Sequence, residues 1–149
     1  MHDGIRHTRL VKNPMPITLL SAAMCTLFLV VILGAWLSAL YLLREEPPGG
    51  MITGLIHGTL GTATVALVLL ALQGKRAATP HAIPTSAGGL GWTAFAVLAA
   101  TLLGGLTILI THFRRKPISP LLVAAHACGG ITGAVILAAY WTTRASFGR

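Results

Sequence analysis

The chain is short of charge. Only 9% of its 149 residues are Asp, Glu, Lys or Arg, where a soluble domain carries about 25%. That is too little to cover a water-facing surface, and it excludes both a soluble enzyme and a disordered tail. Acids are scarcest of all: Asp3, Glu45 and Glu46 are the only three. None falls in an apolar stretch. Proton-coupled carriers generally use an intramembrane carboxylate or an equivalent relay, so the small multidrug exporter class, which the chain length invites, lacks its usual chemistry. Cysteine is equally sparse. Cys25 and Cys128 lie near the starts of two apolar runs that would cross in opposite directions, so they fall toward opposite faces, too far apart for a disulfide and too few for zinc. There is no Ser-His-Asp set, phosphate loop or HExxH.

Apolar length is what the chain does have. Apolar residues make up 54% of it, and the mean hydropathy is +0.79. Four runs stand out, at Ile17–Leu43, Met51–Leu72, Leu90–Phe113 and Ser119–Thr142. Each reaches the roughly 20 residues that a spanning helix needs. The runs are continuous and show no two-residue alternation, so they predict helices and not barrel strands. Pro and Gly punctuate the gaps, as in Pro47-Pro48-Gly49-Gly50. The longest gap, Gln73 to Gly89, holds Pro80 and Pro84. The first run follows a basic segment, as a signal peptide does, but it exceeds the 7–15 residues of a cleaved apolar region. The expectation is an all-α integral membrane protein, a four-helix up-down bundle forming one domain over residues 1–149.

The formal charge of +8 would suggest nucleic acid in a soluble chain. Here the basic residues lie between spans, so topology and lipid headgroups account for them and no nucleic-acid partner is expected. With four spans the termini and the middle gap share one side. That side carries Arg6, Arg9, Lys12, Lys75, Arg76, Arg144 and Arg149; the other carries Arg44, Arg114, Arg115 and Lys116. The positive-inside rule places the termini in the cytoplasm, of a bacterial inner membrane.

The chain also matches itself. Without a gap, an offset of 69 residues brings Leu29 onto Leu98, Leu33 onto Leu102, Leu37 onto Leu106 and Leu40 onto Leu109. The leucine matches come cheaply in this composition. Pro48 on Pro117, His57 on His126 and Gly61 on Gly130 do not. The reading is two helical hairpins related by a pseudo-twofold axis along the membrane normal. Spans two and four then run in the same direction on the diagonal of the bundle. His57 and His126 lie about 9 Å inside their helices, at matching depth.

Ionisable groups inside a span are costly and usually functional. Two imidazoles at equal depth on diagonal helices suit the two axial positions of a haem iron. Gly61 and Gly130 follow one turn later, with Gly54, Gly58, Gly129 and Gly133 nearby and Gly34, Gly104 and Gly105 on spans one and three. Glycine lets a flat macrocycle approach a helix closely. The plain alternatives are a histidine that joins helices by hydrogen bonding, and Gly54-x-x-x-Gly58 and Gly129-x-x-x-Gly133 as packing faces.

On these residues the chain resembles the membrane b-type cytochromes, in particular the cytochrome b561-like four-helix group. The resemblance covers the four-helix layout, His57 with Gly61 and His126 with Gly130. It implies one haem b ligated by His57 and His126 near the face opposite the termini. It also implies electron transfer between a quinone or partner subunit and a redox protein, as the membrane subunit of a redox complex and not as a standalone enzyme. Many of those cytochromes hold a second haem about four helical turns further along. Here those positions are Ala71 and Tyr140, so one haem is expected. His112 at the end of span three, with Arg114 and Arg115, is placed to replace a ligand, contact a propionate or meet a quinone headgroup. Its plainer role is a helix-end cation beside a headgroup anchor. Trp36, Tyr41, Trp92, Tyr140 and Trp141 read as interfacial aromatics, with lining of a haem or quinone pocket as the alternative for Trp36 and Tyr41. The alternative function is a non-redox structural, assembly or small carrier protein with histidines as interhelical contacts, alone or as a homo-oligomer.

Overall fold

The computed structural model describes residues 15–43, 50–76 and 86–147, and these form four helices. They are α1 (Met15–Leu43), α2 (Gly50–Arg76), α3 (Ser86–Phe113) and α4 (Pro120–Phe147). All four are long and apolar enough to cross a membrane. Only 11% to 22% of each span's most apolar window is buried, so the outer surface is hydrocarbon-like and faces lipid. Phe28, Ile32, Trp36, Leu103 and Val135 are among the side chains exposed there. Threonines do not disturb this surface. Thr59, Thr62, Thr93 and Thr107 each donate to the carbonyl four residues earlier, which satisfies their hydroxyls inside the helix.

α2 and α4 run on past the apolar runs, to Arg76 and Phe147. Hydropathy marks the hydrocarbon segment, whereas helical hydrogen bonding continues into the headgroup region. The gap between spans two and three is correspondingly shorter than Gln73–Gly89.

Each helix packs on two others, and α1 and α3 are diagonal, as are α2 and α4. Contact within each hairpin, α1 with α2 and α3 with α4, is more extensive than contact between hairpins. The core occupies one half of the bundle's length. Leu20, Ala23 and Leu27 of α1 meet Val68 and Leu72, Ala94 and Leu98, and Leu137 and Tyr140. These come from the start of α1 and α3 and the end of α2 and α4, the terminal half. The opposite half, beside the α1–α2 and α3–α4 connections, is the turn half.

The repeat is present, but its register differs between helix pairs. Buried Thr64, Val68 and Ala71 of α2 correspond to buried Gly133, Leu137 and Tyr140 of α4, at the expected offset of 69. Buried Leu20, Ala23 and Leu27 of α1 correspond to Gly91, Ala94 and Leu98 of α3, at an offset of 71. The ungapped leucine matches are therefore not equivalences: Leu29 is 50% exposed and Leu98 only 5%. Equivalent buried positions on the two helices of a hairpin are two residues further apart in hairpin one than in hairpin two, although both connections are six residues long, and leucine is too common to reveal the slip. Pro48 lies outside the described residues.

The aromatics also differ from expectation. Tyr140 is 1% exposed and belongs to the core, not to an interfacial belt. The Arg144 guanidinium lies 5.6 Å from its ring centroid, within cation–π range. Trp92 and Trp141 pack against the core, and Trp141 donates its indole N–H to Ser21 Oγ at 3.3 Å. Only Trp36 and Tyr41 sit outside, and the Tyr41 hydroxyl donates to the Ile118 carbonyl at 2.9 Å.

α3 ends in a reversed turn. Arg115 N–H donates to His112 O and Lys116 N–H to Thr111 O, the paired bonds of a Schellman cap. Arg115 holds the left-handed position, with φ of 52°, where glycine is usual.

Candidate functional site

The site lies in the turn half. α2 and α4 start at the same end, and His57 and His126 follow the first residues of their helices by seven and six positions. The two imidazoles come together across the diagonal. Their ring centroids are 6.0 Å apart and their planes cross at 73°.

Each ring is held within its own hairpin. His57 Nδ1 lies 3.1 Å from the carbonyl oxygen of Val30 on α1. His126 Nδ1 lies 2.9 Å from that of Thr101 on α3. A carbonyl only accepts, so in the neutral ring Nδ1 carries the proton and Nε2 keeps the lone pair. A histidine whose Nδ1–H is anchored this way offers Nε2 as a ligand.

Around the rings is a cavity of about 410 Å³, lined by all four helices. Its walls are apolar: Leu27, Val31, Val65, Leu102 and Leu106 line it, with no acid or lysine or arginine. Size and lining match a small-molecule pocket, which usually measures about 300–1,000 Å³.

The glycines divide according to what a side chain would meet. A Cβ on Gly133 would press on Leu98 and Val97, and one on Gly129 on Thr101. That pair is a packing face of α4 on α3. A Cβ on Gly54 or Gly58 would meet nothing within 4 Å, although both line the cavity. Helix packing does not account for them. Gly61 and Gly130 also line it, with nearest contacts at 3.8 Å.

No family model, curated protein or solved structure matches the chain.

Two imidazoles on opposite sides of one first-row metal, each bonded at about 2.0 Å, set their ring centroids about 6 Å apart. The observed separation agrees. Among the described residues no three His, Cys, Asp or Glu side chains converge, so a metal carried here needs most of its ligands from a bound chelate. Two neutral imidazoles are a donor set that a planar chelate of haem type accepts.

The remaining candidates sit elsewhere. His112, Arg114 and Arg115 are exposed at the end of α3, and none of them lines the histidine cavity. His112 and Arg115 border a separate groove with Met51, Phe113, Lys116 and Pro117. Trp36 and Tyr41 do not line the cavity either. Ala71 is buried, and the Tyr140 ring lies where a Cβ on Gly91 would be, 2.9 Å away. The depth of a second cofactor is thus filled with side chains. Cys25 and Cys128 are free and exposed. Sequence reasoning missed the Val30 and Thr101 carbonyls, since any residue supplies one.

Proposed function

We propose that this integral membrane protein is a small b-type cytochrome that would hold one haem b between α2 and α4 through His57 and His126. The observation that carries the reading is the pair of diagonal imidazoles 6.0 Å apart inside a mostly apolar cavity whose other polar lining is hydroxyl side chains, Ser38 and four threonines. When bound, the haem supplies a one-electron iron couple. The protein's part is to fix both imidazoles through their Nδ1 bonds, to admit the macrocycle beside Gly54, Gly58, Gly61 and Gly130, and to exclude water. The apolar lining sets a low local polarity, one of the levers on haem potential.

Four membrane-spanning helices account for nearly all the described residues, a build that suits an electron-transfer subunit of a larger redox complex better than a standalone enzyme. Quinone and a redox partner at the turn-half face are the matching exchange partners. The exposed Arg114, Arg115 and Lys116 give that face basic side chains for an anionic partner or headgroup. The excess of basic residues on the other side supports cytoplasmic termini in a bacterial inner membrane.

One observation favours a second reading. Both histidines already bond across their hairpins, which is what interhelical polar contacts in a non-redox assembly or carrier protein would do. Purification from a haem-replete host separates the two. The cytochrome is red, with a Soret band and sharp α and β bands on reduction, and His57→Ala or His126→Ala removes them while the protein still inserts. A colourless, folded wild type would favour the second reading.

A further inference from the structure

Two glycines are set apart by what they touch. At Gly34 the three nearest atoms to an added Cβ are all His57 ring atoms, with Cε1 at 2.9 Å. At Gly105 all three belong to the His126 ring, with Cε1 at 2.8 Å. Gly104 also faces His126, but only at an ordinary 3.8 Å from Nδ1. Gly91 and Gly133 meet core side chains, and Gly54 and Gly58 meet nothing. Gly34 and Gly105 therefore clear space for a histidine, and not for a neighbouring helix.

Each glycine also follows, by four residues, the carbonyl that its histidine reaches: Val30 before Gly34, and Thr101 before Gly105. Residues four apart share a helix face, and a side chain leans back toward the helix start. A side chain at the fourth position would cover that carbonyl. Glycine leaves it open and gives the ring a flat seat beside it. The carbonyl-x-x-x-Gly element occurs twice, at the same 71-residue offset that relates the buried faces of α1 and α3.

We infer that Gly34 and Gly105 are positioning residues: each seats the histidine of the adjacent helix on a bared backbone carbonyl, which fixes it as the Nδ1–H tautomer with Nε2 facing the ligand. The role of Nε2 as an iron ligand rests on the cytochrome reading. The tautomer does not, because it is set by the protein alone.

The test uses the full chain in lipid nanodiscs without cofactor, labelled with 15N-histidine, above the pH at which histidine titrates. Two-bond 1H–15N correlations report the tautomer of each ring. Wild type is expected to show Nδ1–H at both His57 and His126. Gly34→Ala is expected to release His57 from that state and leave His126 in it, and Gly105→Ala to do the reverse. Gly104→Ala, whose Cβ would lie at an ordinary 3.8 Å from His126 Nδ1, is expected to change neither. Nε2–H at either ring of the wild type overturns the proposal, as does an unchanged His57 in a folded Gly34→Ala protein. Should the alanine variants fail to insert, the wild-type spectrum decides alone, both rings Nδ1–H supporting the inference. In haem-loaded protein, Gly34→Ala is expected to weaken cofactor retention about 10–100-fold, as loss of an outer-shell bond does, and to shift the low-spin EPR signal. A colourless wild type with both rings Nδ1–H defeats the cytochrome reading and leaves this one standing.

Discussion

The two halves of the bundle are built from the same residue types and do opposite things with them. In the terminal half, Leu137, Val68 and Ala94 are fully buried and Tyr140 fills the axis. A Cβ on Gly91 or Gly133 there would strike a side chain within 3 Å. In the turn half, Gly54 and Gly58 face open space, and the axis holds two histidines and a cavity. Lipid tails are as apolar as leucine, so packing and not hydrophobicity holds spans together. The terminal half supplies that packing, which leaves the turn half free to stay hollow. The pseudo-twofold axis relates hairpin to hairpin and does not relate one membrane face to the other. Among the described residues, the two histidines therefore meet at one level of the bundle only.

The largest expected effect belongs to the histidines. Replacing either with alanine is predicted to remove the haem spectrum entirely, yet to cost the cofactor-free bundle only about 0.6 kcal/mol, the average for an interhelical hydrogen bond in a membrane. Thermal melting in detergent checks the second figure; collapse of the apoprotein would mean the turn half is as structural as its counterpart. Next comes Leu137→Ala, expected to destabilise by about 2–5 kcal/mol as a core truncation, while the reduced-minus-oxidised spectrum per folded molecule stays unchanged. If that spectrum disappears with stability intact, the division between halves is wrong.

Matched glycine substitutions sharpen the contrast further. Gly133→Ala, in the packed half, is predicted to cost about 1–3 kcal/mol through overpacking. Gly58→Ala, in the hollow half, is predicted to stabilise the cofactor-free protein by about 0.5–1 kcal/mol through helix propensity, and Gly58→Leu to block haem binding without unfolding the bundle. Equal destabilisation by the two alanines would erase the distinction. The smallest effect is at the turn. Arg115→Gly relieves a left-handed backbone position worth about 1–2 kcal/mol, offset by glycine's own entropy, so a gain of under about 1 kcal/mol is expected in the melting measurement.

Much of this was legible in the sequence because rarity makes residues visible. Four long apolar runs can only be spans, and two histidines among so few ionisable groups stand out at once. Their equal depth followed from counting. Tyr140 was misplaced because a tyrosine near a helix end usually marks the interface, whereas here it plugs the axis. The register of α1 against α3 was hidden by leucine, which matches leucine at any offset. Glycines were the hardest to read. Gly58, Gly105 and Gly133 have the same side chain and similar surroundings in sequence. One borders a void, one seats a ring and one meets a packed leucine, and only the helix face it occupies separates these roles.

The confinement of each histidine to its own hairpin has a consequence for ancestry and engineering. Val30, Gly34 and His57 form one complete half-site, and Thr101, Gly105 and His126 form the other. No residue of one half-site depends on the peptide link between α2 and α3. Two copies of a single hairpin meeting head to head could make the same centre, and joining them into one chain would let each copy diverge. The two-residue slip between hairpins changes the spacing inside one module and leaves both imidazoles meeting on the axis.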